Sequence, residues 1–172
     1  MDEAAEYVVY TDGACSNNQA PGGQPGGWAA VFTDGTCLSG GHPATTNNRM
    51  ELTAAIEALR HTPPGSRVRV RSDSAYVVNA FLQDWFSGWE RRGWRNSKGQ
   101  PVENQDLWRE LRRLAAERRV SWEKVHGHAG DPLNEKADRL AVAAIPRPAA
   151  PRPPDGRRDG QPGDGGGGER QA

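Results

Sequence analysis

The sequence predicts an α/β chain, a mixed sheet covered by helices. Three observations carry that prediction. The first 40 residues hold short aromatic and β-branched runs separated by turn residues. From Leu52 the apolar period changes from two to that of a helix. Beyond that point strand patterns and helix patterns alternate, the order that builds a sheet with helices on its faces. At 172 residues the chain is long enough for one domain with a real core.

Tyr7 to Thr11 is aromatic and β-branched and opens the sheet, and Gly27 to Thr33 is the second strand. Asp34-Gly35 makes a tight hairpin, and Thr36 to Gly40 returns as the third strand. Leu52, Ala55, Ile56 and Leu59 then fall at i, i+3, i+4 and i+7, one face of a helix that Pro63-Pro64-Gly65 ends. Arg67 to Ser72 alternates arginine with Val or Ser, a half-buried strand, and Ser74 to Trp85 is a helix with Val77, Val78, Phe81 and Leu82 inward. A further amphipathic helix carries Leu107, Trp108, Leu111, Leu114 and Ala115, and Val120 to Val125 is the fifth strand. Asp131-Pro132 opens the last helix as N-cap and first helical residue, with Leu133, Ala137, Leu140, Ala141 and Ala144 as its stripe. The expected order is three strands, helix, strand, two helices, strand, helix.

Residues 1–145 therefore form the expected domain. From Pro146 to Ala172 the chain is mainly Pro, Gly, Arg and Asp with little to bury, and is expected to be disordered. Its arginines could bind something, but acids alternate with them, which suits an inert solvated tail. Formal net charge is zero, so bulk charge names no partner and any nucleic-acid binding must rest on local patches. Two cysteines exclude a disulfide framework or a four-cysteine zinc site and suit a reducing cytoplasm. The acidic opening, Met1 to Glu6, is no signal peptide, and no stretch is long enough to span a bilayer. No long exposed apolar stripe calls for a partner copy, so a monomer is expected.

Four acids stand on separate segments: Asp12 in Tyr-Thr-Asp-Gly, Glu51 in Thr-Thr-Asn-Asn-Arg-Met-Glu, Asp73 in Ser-Asp-Ser, and Asp138 four residues after Asn134. Carboxylates repel one another, so gathering them is unfavourable unless a hard cation such as Mg²⁺ sits among them. Each acid also fits a purely local role. Asp12-Gly13 could turn the chain after a strand. Glu51 could close a capping box with Asn48. Asp73 could cap the following helix, and Asp138 could be a surface acid.

Tyr-Thr-Asp-Gly at 10–13, Thr-Thr-Asn-Asn-Arg-Met-Glu-Leu at 45–52, Ser-Asp-Ser at 72–74, Gly-His-Ala-Gly at 127–130, and Asn134 with Asp138 occur in one order. Together they resemble the bacterial type 1 ribonucleases H over residues 6 to 144. The resemblance implies the ribonuclease H-like fold, a five-stranded mixed sheet (three antiparallel strands, then parallel ones) flanked by helices. It implies hydrolysis of the RNA strand of an RNA–DNA hybrid, leaving a 5′-phosphate and a 3′-hydroxyl. Asp12, Glu51, Asp73 and Asp138 would then hold two Mg²⁺ ions, with Mn²⁺ as a substitute, about 4 Å apart as two-metal phosphoryl chemistry requires. His128 would assist near the metals as a proton carrier, histidine titrating near neutrality; alternatively it is an exposed loop residue. Other readings are a hybrid-binding module without catalysis and a DNA-acting nuclease of the same fold.

Gln83 to Gly99 holds Trp85, Trp89 and Trp94 with Arg91, Arg92, Arg95 and Lys98, and no acid between Arg91 and Lys98. Cations suit phosphates, and flat rings suit sugars and bases. The segment resembles the basic handle by which these enzymes grip DNA, although Trp85 and Trp89 at i, i+4 would also suit a core. Carried over likewise, Asn18, Asn47, Asn48 and Asn134 would touch the hybrid, the first three in its minor groove, where 2′-hydroxyls mark RNA. Thr46 and Asn104 would hold a DNA phosphate. Asn48 and Asn104 also suit helix caps, and Asn18 a polar loop.

Overall fold

A computed structural model describes residues 6–16, 23–126 and 131–147. Asn18, His128 and the tail beyond Arg147 lie outside the described residues. Five strands, β1 (Glu6–Cys15), β2 (Gln24–Phe32), β3 (Cys37–Thr45), β4 (Arg67–Ser72) and β5 (Arg119–Lys124), form one sheet in the order β3-β2-β1-β4-β5. β1 and β2 pair antiparallel, as do β2 and β3, whereas β1–β4 and β4–β5 are parallel. The helices are α1 (Asn47–His61), α2 (Ala75–Leu82), α3 (Trp85–Arg91), α4 (Gln105–Ala116) and α5 (Pro132–Ala143). No helix among the described residues is long and apolar enough to cross a membrane.

Strand alternation divides the side chains of β1 between two faces. Val9 joins the larger core, with Leu52, Ile56 and Leu59 of α1, Val68 and Val70 of β4, and an aromatic group from α3 and α4. Tyr10 faces the other way, to Ala137, Leu133 and Leu140 of α5. Helices therefore cover both faces, and α5 lies over β1 and β2. Its close seat depends on Gly27, where a Cβ would come within 2.1 Å of the Ala141 carbonyl oxygen. The hairpin at Asp34-Gly35 is present: Gly35 has φ +100°, and Thr36 N–H donates to Asp34 Oδ1 at 2.9 Å.

One expected helix divides into two. Asp84 adopts φ 51°, which ends α2, and its carboxylate caps α3 by accepting from Ser87 N–H and Oγ–H at 3.3 and 2.6 Å. Leu82, expected on the inner side, is 61% exposed at this break. Three helices thus stand between β4 and β5 where two were expected.

Candidate active site

The parallel register of β1 with β4 pairs Thr11 with Ser72, so the next residues, Asp12 and Asp73, emerge side by side. Glu51 arrives from the second turn of α1. That helix meets β1 closely at Gly13, where a Cβ would lie 2.5 Å from the Glu51 nitrogen and 2.6 Å from the Met50 carbonyl carbon. Only a hydrogen fits there, which brings Glu51 against Asp12. One carboxylate oxygen from each of Asp12, Glu51 and Asp73 lies within 4.8 Å of the others. Asp12 and Glu51 are buried, and Asp73 is more open.

Such a group strongly disfavours full ionisation. Burial pushes the Asp12 carboxyl up to about 8, helped by the charge of Asp73 and by a hydrogen bond and charge from Asp138, against the N–H of Gly13 at 3.0 Å. Burial, then the charges of Asp12 and Asp73, raise Glu51 well above the ordinary range. Asp73 is raised by burial and by Asp138, while Lys124 at the end of β5 opposes the rise. Among the described residues Glu51 Oε1 is buried without a hydrogen-bond partner, an arrangement that costs about 1–3 kcal/mol unless something meets it. Protons or a cation would relieve all three groups, and a hard divalent ion takes such oxygen ligands.

Asp138 lies outside that tight trio, on the exposed side of α5. Its bond and charge toward Asp12, and its charge toward Asp73, nonetheless place it at the rim of the same site. Asn134, one turn earlier, is buried. The local alternatives for two acids disappear. Thr46 caps α1, accepting from Arg49 N–H at 3.1 Å, so neither Asn48 nor Glu51 is used there. Ser74 caps α2 through Val77 N–H at 3.2 Å, which leaves Asp73 free of that duty.

Thr46 and Asn47 are exposed and Asn48 half-buried at the start of α1. Asn104 does occupy the N-cap position of α4, but its side chain makes no cap bond. Its Nδ2 donates to the Tyr76 hydroxyl at 3.0 Å, and its Oδ1 accepts from Arg49 Nη1 at 3.3 Å. Arg49 also forks onto Asp106, at 3.1 and 2.8 Å. Arg49, Tyr76 and Asp106 were not legible as a group, because the three come from separate helices.

In the handle, Trp89 and Trp94 are buried with Phe86 and Trp108, so Trp89 packs mainly in the core, while its exposed edge lines the same cleft as Trp85. Trp85 is half-buried and lines a cleft of about 520 Å³ with Arg91 and Arg92. Arg92 Nε–H donates to the Arg95 carbonyl at 3.0 Å and holds the turn, whereas Arg91 makes no ion pair among the described residues. His128 and Asn18 lie outside the described residues.

Comparison with known proteins agrees with this arrangement. The sequence model of the RNase H family matches residues 4–146. The chain is 57% identical over 143 residues to a ribonuclease H of Moorella thermoacetica, covering 81% of this chain and 91% of that protein. It is also 57% identical over 143 residues to one of Symbiobacterium thermophilum, covering 81% and 95%. Among solved structures it resembles LC9-RNase H1, a type 1 RNase H with the type 2 active-site motif, with TM-score 0.73, 35% identity, and coverage of 84% of this chain and 74% of the other. The foamy viral protease-reverse transcriptase bound to dsDNA shares the fold at TM-score 0.64 and 21% identity, over 81% and 93% of the two chains. With the family spanning its whole sheet and the acids gathered at one end of that sheet, this chain belongs to the ribonuclease H family, metal-dependent hydrolases of the RNA in RNA–DNA hybrids.

Proposed function

We propose that residues 1–145 are a Mg²⁺-dependent endonuclease domain that cuts the RNA strand of RNA–DNA hybrids and leaves 5′-phosphate and 3′-hydroxyl ends, with residues 146–172 as a tail outside that domain. The observation that carries this is the close trio of Asp12, Glu51 and Asp73, two of them buried, with Glu51 Oε1 unpartnered among the described residues. That donor set fits hard divalent ions. Asp12, Glu51 and Asp73 would hold two of them, with Asp138 completing the rim. Bound there, the ions would supply charge for the phosphodiester transition state and lower the pKa of a water nucleophile.

The chain's own residues contribute position. The register of β1 and β4 fixes Asp12 against Asp73, and Gly13 lets Glu51 close on Asp12. Phosphoryl transfer asks little else of the protein than placement and electrostatics. His128, by resemblance, would carry a proton near the reacting phosphate. Thr46 and Asn104 would hold a phosphate of the DNA strand, while Asn18, Asn47, Asn48 and Asn134 would contact the hybrid. Trp85, Arg91 and Arg92 would extend the grip along the DNA strand. Trp89, packed in the core and lining the same cleft, would contribute its edge to that surface. The protein would act as a cytoplasmic monomer; its exposed large apolar side chains among the described residues, Leu82 and Val142, lie on different helices.

Cleavage of matched hybrid, RNA duplex and DNA duplex, each with Mg²⁺, Mn²⁺ or chelator, tests the reading. Hybrid alone should be cut, in its RNA strand, and only with a cation. Cleavage of duplex DNA in preference to hybrid would reject it.

A further inference from the structure

The amide of Asn104 is oriented by a partner that leaves it no choice. Arginine carries donors and no acceptor, so the oxygen of the carboxamide must be the atom that faces Arg49, at 3.3 Å. The amide nitrogen then faces the Tyr76 hydroxyl at 3.0 Å, and the same hydroxyl accepts from Trp108 Nε1 at 3.0 Å. One of the two Nδ2 protons goes to Tyr76; the other meets no acceptor among the described residues. Arg49 does the same for Thr46 through its backbone. Its N–H takes Oγ1 as acceptor at 3.1 Å, so that the hydroxyl proton is available to another group. One residue thus turns two neighbouring polar side chains so that both can donate, which is what an anion requires. Asp106, which would repel that anion, lies bidentate under the same guanidinium.

We propose that Arg49 is a positioning residue, which fixes the Asn104 carboxamide with its donor edge outward so that a phosphate of the bound duplex meets N–H instead of carbonyl oxygen. This rests on the reading of Asn104 as a phosphate contact. Without Arg49 the amide can turn over, since its two ends have nearly the same shape, and the turned form offers lone pairs to a phosphate. The Arg49–Asp106 pair is half-exposed to exposed, with side chains 35% and 64% accessible, and such pairs contribute little to stability. Loss of binding should therefore separate from loss of fold. A fork is needed to reach Asn104 and Asp106 together, so lysine is no equivalent.

The test is a double-mutant cycle on Mg²⁺-dependent hybrid cleavage by the full chain, with KM and kcat read separately and melting temperatures alongside. Asn104→Ala should raise KM about tenfold. Arg49→Met should do the same, with kcat within a factor of about two and melting within a few degrees of the parent. In the Asn104→Ala background, Arg49→Met should have almost no further effect on KM, because its target is gone. Equal factors in both backgrounds would mean that Arg49 acts through charge or through Asp106, and would overturn the proposal. So would full recovery of KM in Arg49→Lys, which keeps the charge and loses the fork. If Asn104→Ala raises KM while Arg49→Met does not, the orienting role fails and the phosphate contact stands. If Asn104→Ala leaves KM unchanged, the phosphate contact fails and the orienting role with it.

Discussion

Asp12→Asn should destroy activity and stabilise the cation-free protein. The Asp12 carboxyl is pushed from 3.8 to about 8, chiefly by burial and then by the charges of Asp73 and Asp138. In the unfolded chain it ionises near its ordinary value, so between those two pH values the folded state binds the extra proton. This group's contribution to stability is complete below about pH 4 and falls as pH rises toward 8, by at most about 1.4 kcal/mol for each unit crossed. An isolated group would lose about 5 kcal/mol by pH 7.5 on that slope; since the neighbouring acids share the proton burden, about 2 kcal/mol is a fairer figure. Asparagine has no charge to lose and keeps nearly the same volume. Its advantage should therefore be near zero at about pH 4 and reach about 2 kcal/mol at about pH 7.5, roughly 5 °C in melting temperature.

Thermal melts of both proteins in chelator across that pH range make the comparison. Saturating Mg²⁺ should then raise the melting temperature of the parent and do much less for the variant, since an ion that binds only the folded state stabilises it by mass action. Superimposed melts at every pH in chelator would refute the reasoning. They would mean that the acids are well solvated and not held in a strained cluster.

Three further outcomes follow from the same geometry. At limiting Mg²⁺, kcat/KM should fall steeply as pH drops below about 8, because Asp12 and Glu51 are raised and the ligand form is the deprotonated one; more Mg²⁺ should move the inflection to lower pH, and a fixed inflection would argue against proton–metal competition. Gly13→Ala forces a methyl into the backbone of α1 at Met50 and Glu51, which should cost about 1–3 kcal/mol in denaturant unfolding and reduce kcat more than tenfold as Glu51 withdraws from Asp12. Replacing Trp85 and Arg91 together by alanine should raise KM more than it lowers kcat and should flatten the salt dependence by about one phosphate contact; an unaltered salt slope would remove the handle from the binding surface.

The acids themselves were readable because their motifs are local. Their use was not, because it depended on which neighbour took the competing local task. Asn48, Glu51 and Asp73 all suited helix termini, and the choice fell to Thr46 and Ser74, which take the capping bonds. Strand lengths were underestimated for a related reason. Expected to end at Thr11, β1 runs on to Cys15 through Asp12, Gly13 and Ala14, poor strand formers that stay extended because β2 pairs with them as far as Gly26. At the sheet edge, β3 continues through Gly41, His42 and Pro43, and an edge strand can accommodate a proline. The break between α2 and α3 had no glycine or proline to announce it; it lies in the left-handed backbone of Asp84, stabilised by bonds that exist only once Ser87 is in place.

The same extension of β1 explains why the site is where it is. Beyond Thr11 the strand has lost its parallel partner, since β4 stops at Ser72, yet it is still held on the other side by β2. Asp12 and Asp73 therefore stand at a notch in the sheet, backed by strand on one side and open on the other. A notch of this kind can bury carboxylates enough to raise their proton affinity while leaving one side for a cation and a phosphate to enter. If β4 continued alongside, Asp73 would be drawn into the ladder and its side chain assigned to one face. If β1 ended with it, Asp12 would be solvated and lose the burial that now comes first among the causes of its shift. Strand length, fixed by backbone pairing, is thus what sets the electrostatics of the acids.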